Sequence, residues 1–450
     1  MRKVSLLILV ALAALVVYAY IIFYPQLPIA NGYAAKKMCS CTFIAGRTQE
    51  AIQVEDLGFG PLSLTKTNID RNSKSVETTL FGLSPRTAVF REKLGCILLD
   101  GTDDYDQKLE IETPALPDSL YWPLGTNTTY SDRPENVDYD QLSQAINSAF
   151  DPTGGLTSQM TRAIVVVHKD QIIGEKYAEG YDAQTEILGW SMAKSLTSTL
   201  VGILNKNEMA SLEEKNLFEE WNDERADIAL KDLLQMQSGL AFNEDYGSIS
   251  DATEMLFTVS DITSIPKSQK SIHAAGTHWS YSSGTTNLLS GFIRDRMPSH
   301  DAYLQLPYDS LFHRIGMTSA VLETDEAGTF IGSSYCYATP RDWAKFGLLY
   351  LHEGNWYGDQ VVDTSWVDFV KIPASDSKGI YGGQFWLNVD HAQFKDAPED
   401  LFSCNGFQGQ FVFIIPSLDL VVVRMGLAEW PQFDPNKMLR EIISCIKIEG

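Results

Sequence analysis

Trp190-Ser191-Met192-Ala193-Lys194-Ser195-Leu196-Thr197-Ser198-Thr199-Leu200-Val201-Gly202-Ile203-Leu204-Asn205 is the stretch on which both fold and chemistry turn. Leu196, Leu200, Val201, Ile203 and Leu204 recur at helical spacing, which predicts a helix from Ser191 to about Asn205 with an apolar face. A serine hydroxyl attacks a carbonyl only if a neighbour takes its proton, and a lysine three positions on lies on the same helical face, one turn away. Ser191 at the start of a buried helix also sits at the positive end of the helix dipole. Burial of that turn pushes the Lys194 amine towards the neutral form a base requires.

Serine and lysine at this spacing occur five times, at Ser63/Lys66, Ser191/Lys194, Ser264/Lys267, Ser375/Lys378 and Ser444/Lys447, so context must choose among them. Pro266 disfavours a regular helix after Ser264, Ser63 falls in a β-like stretch and Ser375 in a polar loop. Ser444 lies late in a closing helix with its lysine near the chain end. Alone, Ser191 would read more simply as a helix cap and Lys194 as a surface lysine. The residues further along the chain change that balance.

Gly276-Thr277-His278-Trp279-Ser280-Tyr281-Ser282-Ser283-Gly284-Thr285-Thr286-Asn287-Leu288-Leu289 places Tyr281 in a polar turn just before an apolar helix. Upstream, 163–167 and 172–177 are strand-like around Lys169-Asp170 and read as a β-hairpin, preceded by a helical segment at 140–150. Downstream, strand-like segments fall at 384–389, 410–416 and 420–425, with a closing helix at 435–446. Strands at both ends and helices between predict one sheet built from both ends of the region, plus an all-helical lobe.

Ser191-Met192-Ala193-Lys194 with Tyr281-Ser282-Ser283 resembles the first two motifs of the class C β-lactamase and penicillin-recognising serine hydrolase superfamily. The pattern is that of 6-aminohexanoate-dimer hydrolases and related esterases and amidases. The likeness extends through 233–240 (LLQMQSGL) and 338–347 (ATPRDWAKFG), and covers roughly residue 140 to the C-terminus. It implies an α/β (α+β) fold of the β-lactamase type, an antiparallel sheet flanked by helices with a helical lobe. It further implies that Ser191 is the nucleophile, that Lys194 activates it and that Tyr281 shuttles the proton to the leaving group. Ser283 stands where many relatives carry Asn and keeps a hydroxyl able to bond Lys194 or substrate.

The third motif of the superfamily, a cationic residue on the strand beside the nucleophile, aligns with Ser403-Cys404-Asn405-Gly406-Phe407-Gln408-Gly409-Gln410, which puts Cys404 in the cationic position. That cation holds the carboxylate of penicillins and D-alanyl peptides, so its absence points to a neutral-ended or differently charged small amide or ester. On this alignment the N–H of Phe407 or Gln408, beside Gly406, joins that of Ser191 in an oxyanion hole. By analogy with nylon-oligomer hydrolases, the loop 243–246 covers the acyl pocket with Tyr246. A D-alanyl-D-alanine carboxypeptidase or β-lactamase, and a catalytically silent binding or scaffold protein of the same fold, remain the alternatives.

Composition sets the outer bounds. With 450 residues, 44% of them hydrophobic, the chain can bury a large core, and its formal charge of -23 disfavours any nucleic-acid partner. No spacing among the six cysteines or seven histidines suggests a metal site, and the mechanism needs no cofactor. Cys39 or Cys41 paired with Cys96, or buried free thiols, are both open readings, and Asn127-Thr128-Thr129 is a glycosylation sequon. After Arg2 and Lys3, the uncharged run 4–24 is long enough to predict a transmembrane signal anchor; a cleaved signal peptide is disfavoured by its length. The expected layout is a cytoplasmic N-terminus and membrane span at 1–25, a β-rich region and linker at 26–134, and an extracytoplasmic hydrolase domain at 135–450, periplasmic in a bacterium. The oligomeric state is not legible.

Overall fold

The computed structural model describes residues 8–10, 21, 23–100, 109–152 and 156–447. Leu27–Phe43 forms a 17-residue helix, α1, with Pro28 in its first turn, where a missing N–H costs nothing. Residues 34–42 are all buried, Lys36 and Lys37 included. A helix enclosed on every side has no polar stripe, and this one shows no 3.6-residue alternation in a region whose sequence reads as β-rich. β-Structure follows it as an antiparallel sheet of β1 (Thr65–Asp70), β2 (Ser75–Leu80), β3 (Leu83–Arg91) and β4 (Gly95–Leu99), in that order. α1 lies between this sheet and the helix Asp251–Phe257: a Cβ on Gly32 would come 3.0 Å from Leu98 Cδ2 and 2.8 Å from Phe257 O. The disulfide Cys39–Cys96 fastens α1 to β4, while Cys41, Cys336, Cys404 and Cys445 are buried free thiols.

Most of the apolar run 4–24 lies outside the described residues. Among the described residues no helix is long and apolar enough to cross a membrane. That finding corrects the expected transmembrane helix, signal anchor and single-pass layout, which nothing among the described residues supports. The helix that follows the run is instead packed into the protein by ion pairs. Lys36 meets Glu323 at 3.1 Å, Lys37 meets Asp56 at 3.2 Å, and Asp56 also pairs with Arg47 and, at 2.8 Å, with Arg162.

The main sheet is built as the two ends of its sequence pattern imply. After helix α2 (Tyr139–Ser148) come β5 (Thr161–His168) and β6 (Gln171–Tyr177). The middle of the chain supplies helices α3 (Ala193–Lys206), α4 (Ser283–Arg296) and α5 (Pro340–Leu351). Strands β7 (Trp386–Leu387), β8 (Phe402–Gly406), β9 (Gln410–Ile415) and β10 (Leu420–Gly426) then precede helix α6 (Pro435–Ile443). All six strands are antiparallel in the order β7-β8-β9-β10-β5-β6, so β10 closes on β5 with Val423 opposite Val165.

Every residue of β5 is buried, which requires cover on both faces. On the face of Val166, a Cβ on its partner Gly174 would strike Ile146 of α2 at 2.6 Å. On the face of Val167, its partner Val421 lies 2.6 Å from where a Cβ of Gly347 in α5 would sit. Successive side chains of a strand point to opposite faces, so α2 and α5 sandwich the sheet.

Two local expectations change. The strand expected at 384–389 shortens to Trp386–Leu387, because Gln384 takes a left-handed backbone (φ 67°) and donates its amide to Leu233 O and Leu234 O. Ser264–Ser268 forms one helical turn despite Pro266, which sits early enough to need no intrahelical donor.

Asp56 is the hub joining α1 to β5. Burial opposes its charge, yet Arg162, Lys37 and Arg47 together hold its carboxyl well below the ordinary carboxylate range. Replacing it with Ala strands their charges in a dry site, and Asp56→Ala is expected to lower unfolding stability by about 3–5 kcal/mol in urea titration at pH 7. The difference should shrink as pH falls below the unfolded carboxyl pKa of about 4, where native Asp56 loses its advantage.

Candidate active site

Ser191 sits in the single turn Trp190–Met192, which leads directly into α3 at Ala193. α3 is buried from Ala193 to Leu204 although it holds four Ser and Thr residues. Their hydroxyls are spent on neighbouring segments: Ser195 on Gln384 O (2.7 Å), Thr197 on Gly332 O (3.0 Å), Ser198 on Gly383 O (2.9 Å) and Thr199 on Tyr350 (2.7 Å). Those bonds fix the helix lengthwise, and with it the relation of Ser191 to everything around it.

Lys194 is 1% exposed. Its Nζ lies 3.1 Å from Ser191 Oγ, 3.0 Å from Ser283 Oγ and 2.9 Å from Ser333 O, three uncharged acceptors. Burial lowers the pKa of its ammonium to about 8, with Glu244 acting the other way. Ser333 is held in turn by its N–H bond to Asn287 of α4 (3.1 Å). The Tyr281 ring packs under the same amine, 4.9 Å from Nζ to its centroid. Burial pushes the Tyr281 phenol well above its ordinary pKa, while its hydrogen bond with Ser191 pulls the other way.

Glu244 completes the cluster; the sequence reading placed its loop at the pocket but gave the carboxylate no role. It accepts the Ser283 N–H at 2.8 Å and the Ser283 hydroxyl at 2.5 Å, and Tyr246 donates to it at 2.8 Å. The Tyr246 oxygen is also 3.0 Å from Ser283 Oγ. Lys194, Ser283, Glu244 and Tyr246 thus form one hydrogen-bonded chain. The only sequence signal for Glu244 is its place in the loop at 243–246, since its partner Ser283 lies 39 positions away.

At the edge of β8, a Cβ on Gly406 would lie 2.1 Å from Gly189 O, so the strand end approaches the nucleophile turn as only glycine allows. Phe407 follows, its ring 5.7 Å from that of Trp190. Gln408 departs from the expected site: its N–H is bound to Glu429 Oε1 at 2.6 Å and its carbonyl accepts from Arg424. Cys404 points into the core, where burial raises its thiol to about 12, and Asn405 lines the cavity instead. His278 is a surface residue paired with Asp376 at 3.0 Å.

Ser191, Tyr246, Tyr281, Gly406 and Phe407 all line one cavity of about 810 Å3, with Lys194 and Ser283 buried behind it. Among the described lining residues there is no Lys, Arg or His; the charged ones are Glu244 and Glu429.

The Beta-lactamase family model matches residues 157–431. The 6-aminohexanoate-dimer hydrolase of Paenarthrobacter ureafaciens is 23% identical over 313 residues, which cover 62% of this chain and 75% of that protein. Among solved structures, a penicillin-binding protein homologue from Caulobacter crescentus has a TM-score of 0.53 at 14% identity, covering 69% of this chain and 96% of its own. A family VIII carboxylesterase has a TM-score of 0.54 at 14% identity, covering 68% of this chain and 96% of its own. At these identities the two solved structures establish the shared fold.

Glu244 raises the Lys194 pKa through space. Removing its charge in Glu244→Gln is expected to move the pH midpoint of Ser191 labelling by a fluorophosphonate below about 8; an unmoved or raised midpoint would show that the carboxylate does not act on the amine.

Proposed function

The chain belongs to the Beta-lactamase family and is a serine hydrolase of that fold, and from that premise we propose that it cleaves a small-molecule amide or ester through an acyl-enzyme on Ser191. The observation that carries the reading is the 3.1 Å separation of Lys194 Nζ from Ser191 Oγ, at an amine whose pKa burial brings to about 8. At neutral pH about a tenth of such amines are unprotonated and able to take the serine proton.

Ser191 Oγ attacks the substrate carbonyl as its proton passes to Lys194. The N–H groups of Ser191 and Phe407 are the donors assigned to the oxyanion, as backbone amides serve wherever charge develops on a carbonyl oxygen. The Tyr281 phenol, kept protonated by its raised pKa, hands a proton to the departing nitrogen or oxygen and is refilled from Lys194. Water then attacks the acyl-enzyme by the same route in reverse and releases the carboxylic acid. Tyr246, bonded to Glu244 and Ser283, closes the acyl side of the site.

The carboxypeptidase and β-lactamase reading requires a group to hold a substrate carboxylate. No described lining residue is cationic, and Glu244 and Glu429 repel an anion. A neutral ester or amide meets neither obstacle.

Turnover of p-nitrophenyl butanoate tests the reading. Lys194→Ala is expected to lower kcat/KM by about 10²–10⁴, the scale of a lost general base. In the wild type, kcat/KM should rise about tenfold per pH unit up to a midpoint near 8 and level off above it, since the active form is the unprotonated amine. A rate indifferent to Lys194, or one falling as pH rises from 6 to 8, would remove the assignment.

A further inference from the structure

The cavity at Ser191 is larger and more apolar than a short acyl group requires, and one of its walls comes from outside the segment that the family model matches. Ile29, Ala30 and Tyr33 of α1, with Phe59, Pro61 and Leu62 further along the chain, face the cavity, whereas the family match begins at residue 157. Phe394, Phe411 and Phe433 add aromatic rings to the lining. At the mouth, Phe59 and Trp430 stay 44% and 71% exposed.

The α1 wall is a fixed part of the site. Tyr33 stacks on Trp190 with ring centroids 6.1 Å apart, and Lys37 lies 5.2 Å from the centre of the same indole. Trp190 holds a left-handed backbone (φ 49°), sparsely populated for a bulky residue, directly before the nucleophile. The Lys36–Glu323 and Lys37–Asp56 ion pairs and the Cys39–Cys96 disulfide anchor the helix behind that contact.

Protein interiors close over apolar voids, and a standing apolar cavity of about 810 Å3 is of the size that buries a ligand. Resting on the reading of Ser191 as nucleophile, we propose that this cavity takes the acyl part of the substrate as an uncharged alkanoyl chain, on the order of ten carbons, and that α1 sets the chain length accepted. The two carboxylates and the lack of any described lining cation select against chains ending in an anion.

The test uses the full chain and p-nitrophenyl esters from acetyl to dodecanoyl. A methylene moved from water into an apolar wall is worth up to about fourfold in kcat/KM, so a rise on the order of a hundredfold is expected from butanoyl to decanoyl. A monoester of decanedioic acid should be at least about tenfold poorer than the decanoyl ester. Ala30→Trp, which fills the α1 wall, should lower the decanoyl-to-butanoyl ratio at least about tenfold, with fluorophosphonate labelling reporting whether the variant still assembles its site. A wild-type profile that is flat or falls beyond butanoyl overturns the alkanoyl proposal and leaves the hydrolase reading standing. Absence of both turnover and fluorophosphonate labelling in folded wild type overturns the hydrolase reading itself, and this proposal with it.

Discussion

The amine of Lys194 is buried without a carboxylate in contact, and the rest of the site follows from that. A buried ammonium gives up its hydration, and here it recovers only three neutral acceptors, Ser191 Oγ, Ser283 Oγ and Ser333 O. Direct pairing with Glu244 would stabilise the charged form and disable the base. Ser283 prevents that contact: it accepts from Lys194 and donates to Glu244, so the carboxylate acts one hydroxyl removed. A serine at this position, where many relatives carry asparagine, thus fits a site in which a nearby acid must be kept off the lysine.

Holding an amine in so poor a solvent requires a rigid surround. α3 supplies it by burying a run of Ser and Thr whose hydroxyls all find loop or side-chain partners. The six-stranded sheet brings Gly406 against Gly189, and α4 fixes the Ser333 carbonyl through Asn287. α1 reaches the same place by packing Tyr33 on Trp190. The N-terminal unit therefore touches the nucleophile turn directly, through Tyr33 and Lys37 on the Trp190 indole.

Much of this was legible because its causes are local. The helix at Ser191, the hairpin of β5 and β6 and the strands β9 and β10 each follow from spacing within a few residues. Ser191, Tyr281, Gly406, Phe407 and Tyr246 line one cavity, with Lys194 and Ser283 bonded to each other behind it. What stayed hidden has non-local causes. α1 shows no periodicity because it is enclosed all round, and Glu244 is tied to Ser283 across a separation that no motif spans. Gln408 is turned aside by Glu429, and the strand at Gln384 is cut short by side-chain bonds to Leu233 and Leu234. The membrane anchor was read from composition alone, and no helix among the described residues is long and apolar enough to cross a membrane.

The most direct test is intact-mass spectrometry of the folded chain after exposure to a fluorophosphonate, with Ser191→Ala in parallel. A buried amine activating one serine predicts a single adduct on the wild type and none on the variant. An adduct that persists in Ser191→Ala, or a folded wild-type chain that stays unlabelled above pH 8, would contradict the account.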